Sequence, residues 1–213
     1  RGADLDVGYV LRNLCRDMAD PKGAPFSGTV NGAEAAPPGT VNTSATISRT
    51  TTVSAAVFHG VKPGEDPRLT TMWVALGDPK FSIAVPCWAA VERVSDAVAG
   101  EKGGAITAIA TTLREWNLTQ DRDGVHTGQL RQIWDDVWPV EDRLIEAVAE
   151  TRRRWAATPG DTAEVTEFHQ RLAMQALDAM RDELHDMKEA ALATPAPPPP
   201  VFSPPASAPA LAP

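Results

Sequence analysis

The segment Thr46–Ala90, TISRTTTVSAAVFHGVKPGEDPRLTTMWVALGDPKFSIAVPCWAA, constrains the fold most. It is the part of the chain with a strand pattern, and helix-like sequence frames it on both sides. Thr50–Val61 is rich in Thr and Val and runs into the turn-forming Lys62-Pro63-Gly64-Glu65-Asp66-Pro67. Leu69–Leu76 follows and stops at Gly77-Asp78-Pro79, and Phe81–Val85 stops at Pro86. β-Branched and aromatic runs between Gly/Pro punctuation predict strands joined as hairpins, the first two pairing antiparallel and the third adjoining.

Helical spacing dominates elsewhere. Val7, Val10, Leu11, Leu14 and Met18 predict a helix over Asp4–Met18, with Asp4 as its N-cap. Ala19–Asn42 reads as a long Gly/Pro loop, of the kind that often serves function. From Ala89 onward the pattern is helical. Ile106, Ile109, Leu113 and Trp116 mark one helix over Ala105–Trp116. Gln129–Trp155 is a second, which Pro139 is expected to break or kink at Trp138. Asp161–Ala193 is a third, capped by Gly160-Asp161 and striped by Val165, Phe168, Leu172, Ala176, Met180, Leu184 and Met187. Residues 194–213 are almost wholly Pro, Ala and Ser, which predicts a disordered, partly polyproline tail.

Composition excludes several function classes. A net charge of −8 lacks the basic stripe of a nucleic-acid binder. No apolar run approaches the roughly 18 residues of a membrane helix, so neither nucleic acid nor membrane is expected as a partner. Cys15 and Cys87 are too few for a disulfide framework and read as buried structural thiols. His59, His126, His169 and His185 have no metal-ligand spacing. The sequence holds no Gly-x-Ser-x-Gly, no phosphate loop and no evident paired carboxylates, so no metal and no cofactor is expected.

The charged and aromatic candidates mostly take plain readings. Arg152-Arg153-Arg154 reads as a solvated helix face paired with Glu146 and Glu150. Arg12 and Arg16 read as the polar face of the first helix, and Glu141-Asp142 as surface charge. Trp116, Trp134, Trp138 and Trp155 read as core. Arg49 is the substrate-binding candidate. It stands alone in a charge-free stretch at the entry to the first strand, where a guanidinium can hold a carboxylate bidentately. The plainer alternative is an ion pair with Glu65 or Asp66 across the hairpin.

Certain residues of this block carry a family resemblance. They are Thr52-Val53-Ser54-Ala55, Gly60-Val61-Lys62-Pro63-Gly64-Glu65-Asp66-Pro67, Thr70-Thr71-Met72-Trp73 with Leu76-Gly77, and Ser82-Ile83-Ala84-Val85-Pro86. Together they resemble the C-terminal region of the bacterial N-terminal-nucleophile hydrolases similar to carcinine hydrolase and isopenicillin N acyltransferase, more distantly to choloylglycine hydrolase. Tyr9-Val10-Leu11-Arg12 fits the same order. The resemblance covers under a quarter of the chain.

It implies an α+β fold, the C-terminal part of a four-layer αββα sandwich. In such proteins an N-terminal Cys attacks an amide carbonyl, with its own α-amino group as base. Neither Cys15 nor Cys87 stands at that place, and the chain opens on Arg1. The expectation is therefore that the upstream half of the same protein carries the nucleophile. The expected organisation is a hydrolase-core part over 1–90, a helical extension over 91–193 and the tail over 194–213. The expected substrate is a small linear acyl amide. The alternative is a non-catalytic α-helical interaction module with a small β element.

Overall fold

The computed structural model describes residues 6–18, 39–100 and 103–193. Asp4, most of the Gly/Pro loop and the Pro-rich tail lie outside the described residues. The chain is a mixed α+β protein with small antiparallel sheets. It begins with a short helix α1, Val7–Val10, capped by Asp6, whose Oδ1 accepts the Tyr9 N–H at 2.7 Å. α1 runs into a π-helical turn, Leu11–Cys15. The strands are β1 Thr40–Asn42, β2 Ser54–His59, β3 Thr71–Leu76 and β4 Val85–Trp88. Then come α2 Ala105–Asn117, β5 Gly124–His126, α3 Thr127–Ala157 and α4 Thr162–Ala193.

β2, β3 and β4 form one antiparallel sheet in that order. The β2–β3 connection opens with a turn in which the Glu65 N–H bonds the Lys62 carbonyl at 3.0 Å. Pro63 and Gly64 occupy its centre, and Gly64 has φ +89°. Proline followed by a positive-φ glycine is the type II signature, so this connection was readable from residue types alone. The third strand is displaced from its expected place. Asp78 caps a 3-10 turn over Pro79–Phe81, and pairing resumes only at Val85. Pro86 then sits inside β4, which an edge strand tolerates because it has no N–H to place in the ladder.

Two further expectations needed correction. Of the break or kink expected at Pro139, the break does not occur: α3 runs unbroken through it. The stretch after Ala89 is not helical until Ala105. A small ribbon also pairs β1 with β5, Val41 opposite Val125, in segments with no strand signal.

α3 faces the sheet surface that carries Val57 and Trp73, and Ile145 and Val148 line a cavity with them. α4 closes the β4 edge. Trp88 lies 6.0 Å from Trp155 of α3 and 5.5 Å from Phe168 of α4, ring centre to ring centre. α2 approaches the end of β3 at Gly77. A Cβ there would stand 2.7 Å from that of Ala110, and φ is +79°. Glycine is thus required both for the turn and for the close approach. The buried residues form one continuous apolar core that includes residues on both sides of position 90. The α4 stripe lies in or against this core, as its spacing predicts.

β2 differs from the rest of the sheet. Among the described residues its outer edge pairs with no strand. Phe58, on the face away from Trp73, is 69% exposed, and Val53 just before the strand is 65% exposed.

Candidate functional site

Arg49 lies exposed on the turn that precedes β2. Its Nε–H donates to the Thr46 carbonyl at 3.3 Å, and its own N–H to Thr52 Oγ1 at 3.1 Å. The alternative ion pair is absent. Glu65 accepts the Lys62 N–H, and Asp66 pairs with Arg68 at 2.6 Å. Beneath the turn lies Lys80, buried with Asp78, its Nζ 2.9 Å from Asp78 Oδ2. Lys80 also donates to the carbonyls of Ser48 and Arg49 at 3.0 and 2.9 Å. Burial pushes the Asp78 carboxyl up and the Lys80 ammonium down, opposed by their mutual attraction. The Arg49 turn is therefore anchored from below by a buried cation.

Arg16 and Glu141 overturn the surface readings. Arg16 is 2% exposed and Glu141 0%. The guanidinium meets the carboxylate with two parallel bonds, Nη1 to Oε1 at 2.8 Å and Nη2 to Oε2 at 2.6 Å. Arg16 also donates to the carbonyls of Pro79 and Ser82, and Glu141 accepts the Ala84 N–H at 2.8 Å. One buried pair thus ties the π turn, α3 and the loop leading to β4. Adjacent Glu-Asp residues look like solvated charge in a sequence. A helix of period 3.6 separates them, and Asp142 alone faces outward, bonded to Arg12.

Arg152 also departs from the solvated-face reading. It reaches across to the loop end of the β2–β3 hairpin. Nη1 bonds the carbonyls of Leu69 and His59 and the Thr71 hydroxyl, and Nη2 bonds the Gly60 carbonyl at 2.9 Å. Every one of these acceptors is neutral. Burial, then the charge of Arg152, hold the pKa of His59 below the usual imidazole range. Trp155 is buried as expected, whereas Trp116 is 42% exposed. Trp134 and Trp138 stack with ring centres 4.6 Å apart.

The thiols are poorly suited to attack. Burial pushes Cys87 up to about 11 and raises Cys15 as well. His169 is fully buried and structural. Its Nε2 accepts the Ser95 N–H at 3.0 Å, so Nδ1 carries the proton given to the Pro86 carbonyl at 2.9 Å. Among the described residues no group of three or more His, Cys, Asp or Glu could hold a metal ion. No described helix is long and apolar enough to cross a membrane. No family model, curated protein or solved structure matches the chain.

Proposed function

We propose that the chain is the C-terminal portion of an amide-bond hydrolase or acyltransferase of the N-terminal-nucleophile type, acting on small linear acyl amides. One observation carries this reading. The residues that bear the family resemblance fold together as the β2–β3–β4 sheet and its turns, and among the described residues the outer edge of β2 is unpaired and its Phe58 is exposed. An unpaired edge with exposed Phe58 is a surface that proteins ordinarily cover. An upstream part of the protein, adding strands at β2, would cover it and bring the nucleophile. Arg49, at the entry to β2, is then the candidate for the substrate carboxylate.

The test is to express the native reading frame extended upstream of Arg1 beside the present chain. Both are assayed on a panel of N-acyl amino acids and acylated amines. The reading requires turnover by the extended protein, loss of turnover when its processed N-terminal Cys is replaced by Ala, and none by the present chain. Absence of any such Cys, or an extended protein inert on the whole panel, overturns it.

The second reading is a non-catalytic interaction module. The two long helices α3 and α4 and the acidic net charge of −8 suit it. A start codon directly before Arg1 would decide for it.

A further inference from the structure

Under the β2–β3 hairpin lies a two-part cleft. Its apolar part is a cavity of about 340 Å³ between α1, β2, β3 and α3, walled by Val7, Val10, Val57, Trp73, Ile145 and Val148. Its second part, about 280 Å³, is walled by Lys62, Arg152 and Arg153, with Glu65 the acidic residue there. The two parts share His59, Gly60 and Ala149, so one elongated molecule can span both. We propose that this cleft binds an amphiphilic monocarboxylate, its alkyl or aryl group in the apolar part and its carboxylate at Arg152 and Arg153.

Three observations support the choice of ligand. First, Arg152 is a half-buried cation that makes no salt bridge among the described residues; Glu65 acts on it only through space. Its four bonds go to neutral oxygens, and its Nε–H and one Nη2–H take no acceptor among the described residues. Elsewhere a buried arginine has its anion, as Arg16 has Glu141. A desolvated guanidinium with no directly bonded carboxylate favours an incoming anion, and carboxylate matches its planar fork. Second, the local charge is positive on a chain of net charge −8. Burial and Arg152 lower the pKa of His59, Glu65 is engaged by the Lys62 N–H, and Arg153 is exposed with no ion pair among the described residues. Asp6, at the far end, is engaged by the Tyr9 N–H. Third, the buried Trp73 indole lines the apolar part, and its Nε1–H has no acceptor among the described residues. A few polar groups at one end of an apolar pocket are the ordinary anatomy of a small-molecule site.

This inference does not rest on the amide-hydrolase reading and is tested on the present chain without catalysis. The probes are octanoate, octylamine and acetate, titrated into ¹⁵N-labelled protein. The readout is the indole N–H resonance of Trp73, assigned by its loss in Trp73→Phe. Octanoate should shift it saturably, while octylamine and acetate should leave it in place at the same concentrations. Arg153→Glu and Ala149→Phe change exposed helix positions and should leave the fold intact. The first reverses charge at the carboxylate end and the second plugs the junction. Each should weaken octanoate binding at least tenfold. No saturable shift, an equal shift with octylamine, or unchanged affinity in both variants overturns the proposal.

Discussion

Glu141 accepts two bonds from Arg16 and one from the Ala84 N–H in a site closed to water. Removing one partner of such a pair strands the other charge in a dry interior, which costs about 3–5 kcal/mol. Arg16→Leu should therefore destabilise the chain by that amount in urea titration. Arg16→Leu with Glu141→Leu should cost less than Arg16→Leu alone, because no unpaired charge remains. A double variant worse than the single would show that the Ala84 bond, not the ion pair, holds this node. Glu183 presents the opposite case. It is 2% exposed, and neither of its oxygens receives a donor among the described residues. Burial, then Asp136 and Asp186, raise its pKa from the ordinary 4.5 to about 7. The folded chain thus holds a proton there that the unfolded chain releases at lower pH. Between about 4.5 and 7, folding takes up this proton, so its contribution to stability falls as pH rises and is level above 7. Glu183→Gln should abolish that slope and, at pH 8, be more stable than the parent by on the order of 2 kcal/mol. Parallel stability–pH curves for the two proteins would count against this.

At the scale of elements, α3 tests what a proline means in a helix. Pro139 lacks the N–H that would bond the preceding turn, a defect worth about 3 kcal/mol in a helix interior. The helix nonetheless stays continuous because tertiary bonds brace both sides of the proline. Arg12 donates to the Trp138 carbonyl and lies 5.0 Å over its ring, Trp134 stacks on Trp138, and Glu141 is locked to Arg16. Packing that fixes α3 from outside overrides local propensity. Pro139→Ala should then raise stability by about 1–3 kcal/mol with unchanged helical circular dichroism. A fall in melting temperature would mean that the proline shapes the helix rather than merely being tolerated. The same contest explains what was legible. The β2–β3 pairing was readable because Pro63-Gly64 and the Thr/Val/Trp content are local signals. The displacement of β4 was not, since Asp78-Pro79 could end a strand or begin a 3-10 turn, and Lys80 buried against Asp78 decides for the latter. β1 and β5, three residues each, are too short to show a period. Arg152 was hidden for a different reason. Glu146 and Glu150 are correct helical neighbours in sequence, but its acceptors lie more than eighty residues away.

At the scale of the whole molecule, the question is whether residues 1–90 fold without residues 91–193. The sequence suggests a boundary near Ala90, because strand pattern gives way to helix pattern there. The physical links across that point are extensive. Trp88 is wedged between Trp155 and Phe168. The Pro86 carbonyl is bonded by His169, the hairpin end is closed by Arg152, and the Lys80 carbonyl is bonded by Trp134 Nε1–H at 2.9 Å. The counter-ion of Arg16, Glu141, lies on α3. Cutting after residue 90 removes all of these at once. It exposes Trp73 and Trp88, leaves Arg16 as an uncompensated buried cation, and leaves a three-stranded sheet with little to pack against. Small sheets need a covered apolar face to persist in water. The chain cut after residue 90 should accordingly give an amide spectrum with little dispersion. The intact chain should melt in one transition, seen at the same temperature by near- and far-ultraviolet circular dichroism. Two separated transitions, or a dispersed spectrum from residues 1–90, would make the helices an appendage rather than half of one core.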